Sequence, residues 1–209
     1  MRTHLTRRLV QLYAGLVLYG LSMAMFVEST VGVMPWDVFH QGVADRTPLT
    51  MGMVTILTGA VVLALWWPLR VRPGLGTVSN VILIGIAFDV SHVLLPTPEA
   101  MPTRIAFLVA GVVLNGVATA AYIGARFGPG PRDGLMTGLA ARTGRSVRLV
   151  RTSIEVVVLV IGWLLGGTVG VGTVVYALAI GPLVHRLLPA FVVPEQPVVV
   201  ERAVTRRAA

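Results

Sequence analysis

The sequence predicts an all-α, polytopic membrane protein. It is expected to have six transmembrane helices, arranged as two inverted three-helix repeats with short re-entrant or interfacial half-helices. Three observations predict this. The 209 residues are 55% apolar, 12% charged and of mean hydropathy +0.81, whereas soluble domains carry about 25% charge. The apolar residues gather in runs of about 20, long enough to cross a bilayer. A Gly/Pro-rich motif also occurs twice, at Gly32–Thr47 and again ninety-six residues later at Gly128–Thr143.

At that offset Gly32, Pro35, Asp37, Gly42, Ala44 and Thr47 meet the same residue types at Gly128, Pro131, Asp133, Gly138, Ala140 and Thr143. The register holds on both sides. Leu18, Gly20 and Ala24 pair with Leu114, Gly116 and Ala120, and Gly74, Gly76 and Thr77 pair with Gly170, Gly172 and Thr173. One ungapped register over roughly seventy residues points to an internal duplication.

Residues 1–8 form an expected cytoplasmic N-terminus, and Arg2, Arg7 and Arg8 precede an apolar run with no cleavage site after it, so that run is expected to stay and span. The first repeat, 9–96, holds spans at Leu9–Val27, Thr50–Leu69 and Thr77–Leu95. Thr47-Pro48 reads as the N-cap and first residue of the second span, and Pro96 stops the third. Residues 97–104 form an outer linker. The second repeat, 105–189, holds spans at Ile105–Ala125, Val150–Leu165 and Val171–Leu188, the last ended by Pro189. A cytoplasmic tail follows at 190–209.

Arginine placement sets the orientation. With the N-terminus inside, Arg2, Arg7, Arg8, Arg70, Arg72, Arg126, Arg132, Arg142, Arg145, Arg148, Arg151, Arg186, Arg202, Arg206 and Arg207 are cytoplasmic, and only Arg46 and Arg104 lie outside. This follows the positive-inside rule for a plasma membrane. Three spans per repeat then invert one half against the other, with the first motif outside and its twin inside. The net charge of +8 is thereby read as membrane orientation, with no nucleic-acid partner expected.

Pro35 and Pro131 each start a short helix and place Asp37 and Asp133 in its first turn, where an acid favours the positive end of the dipole. Two readings stay open. Re-entrant half-helices meeting near the midplane would receive an anionic or zwitterionic solute on their N–H groups, or a cation on the two aspartates. Interfacial helices would use the aspartates only as caps. The candidate binding residues are Pro35, Trp36 and Asp37, then Gly130, Pro131, Arg132 and Asp133, with Trp36 opposite Arg132 in the repeat. Asp89 and Glu155 join them as ionisable residues within spans. Asp89 is either part of a proton relay with His92 or paired with a polar neighbour. Glu155 either neutralises Arg151 one turn away or acts as a counter-ion to the second motif. Glu28, at the end of the first span, is expected to be solvated. Trp66, Trp67 and Trp163 are expected as interfacial anchors.

Gly162, Gly166 and Gly170 recur every four residues and suit close helix contact, either between the repeats or in a homodimer. Cysteine is absent, and His4, His40, His92 and His185 are scattered. No nucleotide, hydrolase or zinc motif occurs. No catalytic residue, metal or cofactor is therefore expected, and the chain is not read as an enzyme.

Gly128-Pro129-Gly130-Pro131-Arg132-Asp133-Gly134-Leu135-Met136, with Pro35-Trp36-Asp37-Val38, Arg151 to Glu155 and the paired Gly-x-Gly-Thr turns, resembles the YczE/YitT-like bacterial integral membrane proteins over roughly residues 10–190. The resemblance implies a polytopic inner-membrane protein and brings no catalytic residues and no substrate. The function expected is a secondary transporter or permease for a small solute or ion, alternating access between inverted repeats. The alternative is a non-transporting membrane scaffold or regulatory partner, whose arginine-rich inner surface would meet lipid headgroups.

Overall fold

The computed structural model describes residues 4–193, and all regular structure there is helical. Most of the expected tail, with Arg202, Arg206 and Arg207, and also Arg2, lies outside the described residues. The elements are α1 (Leu5–Ser29), α2 (Pro35–Ala44), α3 (Met51–Ala64), α4 (Trp66–Leu69), α5 (Leu75–Leu94), α6 (Met101–Gly124), α7 (Pro131–Thr143), α8 (Val147–Leu164) and α9 (Val171–Phe191).

Among the described residues, five runs are long and apolar enough to cross a membrane: α1, Met51–Leu69 (α3 with α4), α5, α6 and α9. The expected fifth span, α8, is 18 residues long but carries Arg148, Arg151 and Glu155, and it falls outside that set.

The centre of the bundle is α1 packed antiparallel on α6. Gly15 faces Ala118 and Tyr122 near one end, and Phe26 faces Gly111 near the other. Leu12, Leu16, Met23 and Phe26 of α1 join Leu108 and Val112 of α6 in one buried core. On one flank α5 runs parallel to α1, with Gly20 against Ile84 and Phe88. On the other α9 runs parallel to α6, with Gly116 against Leu183. The outer faces stay apolar and uncovered, as at Val93 (83% exposed) and Leu178 (73%), which suits a lipid surround.

The two short helices begin at Pro35 and Pro131, because proline presets φ and gives up an N–H that has no helical partner there. The chain reaches them by the same path. Thr30 and Arg126 have φ of 55° and 57°, and Gly32 and Gly128 have φ of 124° and 117°, a region open to glycine at little cost. The hydrogen bonds are reciprocal. Gly172 N donates to Val31 O (3.0 Å), and Gly76 N donates to Phe127 O (2.8 Å). Each motif is thus tied to the start of the other half's last long helix. The helix contacts exchange in the same way: α2 lays Val38 and Phe39 on Gly162 of α8, and α7 lays Gly134 under Trp66 of α4. In the ninety-six-residue frame Trp66 matches Gly162 and Gly134 matches Val38, so one contact occurs twice with large and small residues interchanged.

Four sequence expectations are corrected. The cap of α3 is Thr50, whose hydroxyl accepts from Met53 N (3.1 Å); Thr47 instead donates to Val43 O (3.0 Å) at the end of α2. Pro189 does not end α9, which runs on to Phe191 because that end is tied down: Gln11 Nε2 donates to Phe191 O (2.7 Å) and Val193 N to Gly124 O (3.3 Å). Gly162, Gly166 and Gly170 do not make one helix face, since α8 stops at Leu164, Gly166 turns the chain at φ 92° and Gly170 is the cap residue of α9. Trp66 is no interfacial anchor: it is 1% exposed and donates Nε1 to Pro131 O (2.9 Å).

Candidate functional site

The first turns of α2 and α7 converge inside the bundle. The Arg132 guanidinium lies over the Trp36 ring, 4.6 Å from its centroid. These two residues hold the same place in the repeated motif, so the two copies meet through equivalent positions. Two cavities adjoin the pair. A small one of about 60 Å³ is lined by Pro35, Trp36, Arg132, Asp133 and Glu155. A larger one of about 340 Å³ is lined by Gly130, Pro131, Arg132 and Asp133 of the second motif and by side chains of α1, α3, α5, α6, α8 and α9. That volume lies at the lower end of the range of about 300–1,000 Å³ usual for small-ligand pockets.

Its polar lining comes from Tyr19, Thr55, Asn80, Tyr122, Arg151 and Tyr176. Tyr122 donates to Asp133 Oδ2 (3.2 Å). Tyr176 donates to Asn115 Oδ1 (3.1 Å), and Asn115, wholly buried, donates to Ser22 (2.8 Å). The rest is apolar, with Val81, Ile84 and Ile180. The lining positions of α3, α6 and α9 lie mostly toward the α7 end, where Val62, Tyr122 and His185 are found. At the α2 end, Val38 and Phe39 close against Gly162.

Seven of the nine predicted site residues are brought together here: Pro35, Trp36, Gly130, Pro131, Arg132, Asp133 and Glu155. Glu155 also accepts from Arg151 Nε at 3.0 Å, the one-turn pair expected on α8. Asp37 lines neither cavity. It is fully buried, with Oδ1 3.1 Å from Nδ1 of the equally buried His40. Thr55 Oγ1 lies 3.2 Å from the same nitrogen and gives its own proton to Met51 O, so Nδ1 carries the hydrogen shared by Asp37 and Thr55. Trp36 Nε1, Asp37 Oδ2 and His40 Nε2 remain buried with no partner among the described residues.

Asp89 is not brought to the cavities. It accepts from Thr50 Oγ1 (2.6 Å) and Gly52 N (2.9 Å), so it holds the start of α3. His92 does not relay to it. Instead His92 Nδ1 is 2.6 Å from Glu28 Oε1, and Thr97 donates to the same carboxylate. Glu28, expected in solvent, is 4% exposed, because the turn after α5 folds back over the end of α1.

Tyr19, Asn80 and Tyr176 were not singled out from the sequence as lining residues, yet the repeat holds the signal. Tyr19 matches Asn115 and Asn80 matches Tyr176 at the same offset, so the same four places carry polar side chains within apolar helices. Thr55 likewise matches Arg151.

The family model for the family of unknown function DUF6198 matches residues 6–189, which takes in both motifs and every cavity residue. The chain belongs to this family. The chain is similar to an uncharacterized protein of Haemophilus influenzae, 39% identical over 83% of this chain and 79% of that one. It is also similar to the uncharacterized membrane protein YczE of Bacillus subtilis, 32% identical over 100% of this chain and 96% of that one. A third relative, the uncharacterized protein YyaS of Bacillus subtilis, is 25% identical over 84% and 89% of the two chains. The resemblance to YczE drawn from the motifs therefore holds along the whole length. No solved structure matches. This DUF6198 member is a membrane protein with several long apolar helices, joined around a cavity with both polar and apolar walls.

Proposed function

We propose that the protein is a secondary transporter of a small solute or ion in the bacterial inner membrane. It is read as a carrier rather than an enzyme, rocking two inverted three-span halves about the cavity, with both termini cytoplasmic. The observation that carries the reading is the meeting of Trp36 and Arg132, one from each half, at the edge of a ligand-sized cavity. Paired short helices at a repeat interface are where such carriers bind substrate, and irregular backbone at that depth needs a cavity or protein around it.

Further support comes from the reciprocal bonds of Gly76 and Gly172, which a two-fold relation between the halves would produce. In this reading α8 is the sixth span. It begins beside α7 and ends beside α2, and its Arg151 and Glu155 neutralise each other within the helix. With the arginine-rich α7 end inside, the cavity described here opens toward the cytoplasm and the α2 end is closed.

The test uses the absence of cysteine. Asn80→Cys places a single thiol in the cavity lining. A membrane-impermeant maleimide should modify it quickly in inverted vesicles and more slowly in intact cells, as the carrier samples its outward-open state. Modification from one face alone sinks alternating access and leaves a scaffold with a static cleft.

A further inference from the structure

Resting on that reading, we infer that the solute is a small organic anion, with a carboxylate or similar oxyanion held by Arg132 and Trp36 and an apolar body in the larger cavity. Glu155 is engaged by Arg151 at 3.0 Å, and Asp133 accepts from Tyr122 at 3.2 Å. Asp37 is turned away to His40. Asp37 Oδ2 is unpartnered but lines neither cavity, and the two acids that do line them have protein partners, which argues against a cation as cargo there. Arg132 does not: it is half-buried, lies over the Trp36 ring, and forms no hydrogen bond or ion pair with any described residue.

A guanidinium with five donors and no acceptor is costly away from water unless an anion completes it. Trp36, 7% exposed and one of the residues lining the small cavity, adds a second donor in Nε1, which is buried and also unpartnered. Two unmet donors from two halves call for one acceptor group between them. The Trp36 ring beneath the guanidinium holds it in place beforehand, so an oxyanion is bound without reordering a long side chain. Val81, Ile84 and Ile180 give the remainder of the ligand an apolar wall.

The experiment is thermal unfolding of the purified full-length protein in detergent, at constant ionic strength, with benzoate, hexanoate and phenyl phosphate against benzamide and benzylamine. The anions should raise the Tm saturably, while the amide and the amine leave it unchanged. Arg132→Gln should weaken anion affinity about thirtyfold or more, with Arg132→Lys in between. Should Arg132→Gln fail to fold, Trp36→Phe leaves an aromatic ring under the guanidinium but removes the indole N–H with the rest of the bicycle, and it should still weaken anion binding. Absence of any anion effect, an equal effect of benzamide or benzylamine, or unchanged affinity in the variants overturns the inference. Uptake into proteoliposomes separates the two readings. Anions that bind but are never taken up leave the site standing and remove the carrier. Uptake of an amine or a neutral solute does the reverse.

Discussion

Asp37 and Asp133 are the same residue in the same motif, yet their surroundings differ. His40 takes the place that Met136 holds in the second copy, so the first aspartate has a titratable partner and the second has only a tyrosine hydroxyl. Sequence reasoning found both acids and the Trp36–Arg132 correspondence, because a repeat displays equivalent positions directly. It could not tell which acid faces the cavity, since that depends on which way a half-helix rotates against helices from the other half. Asp89 shows the same limit. Its partners, Thr50 and Gly52, are nearly forty residues away, and no local spacing reveals them. Removing this brace with Asp89→Ala should lower stability by about 1 kcal/mol, the value of a helix cap. Activity per folded molecule should be unchanged; thermal unfolding and uptake together check it.

At the scale of elements, the five long apolar helices were legible from hydropathy and the two short helices from Pro35 and Pro131, because length, polarity and proline are local properties. The helix ends were less so. Thr50 rather than Thr47 caps α3, and α9 passes through two prolines, because contacts with other helices decide where fraying stops. The glycines sort by what they touch. A methyl on Gly162 would run into the backbone of Phe39, whereas one on Gly181 meets nothing within 4 Å. Gly162→Ala should therefore cost about 1–3 kcal/mol as an overpacked contact. Gly181→Ala should be neutral or gain up to about 1 kcal/mol from helix propensity. Melting curves of the two variants in one detergent decide the comparison. Equal effects would mean that the crossing of α2 over α8 does not hold the halves together.

For the whole molecule, the question is whether α8 crosses the membrane. Hydropathy alone is ambiguous, since the charges that exclude α8 from the apolar set lie along its N-terminal half. What argues for a span is tertiary: α8 links the end marked by α7 to the end marked by α2. Single cysteines on either side test it. Arg145→Cys, before α8, should be modified by an impermeant maleimide only in inverted vesicles, and Val169→Cys, after it, only in intact cells. Modification of both from one face would confine α8 to the surface.

The exchanged hydrogen bonds bear on how the chain is made. Val31 O, fixed early in synthesis, finds its donor only when Gly172 has left the ribosome. The first half must therefore wait in the membrane with its motif unfinished, and neither half is a complete folding unit. Cutting the gene at the loop around Glu99 should yield two pieces that are each degraded when expressed alone. Expressed together, they should be recovered as one complex, each supplying the bond the other lacks.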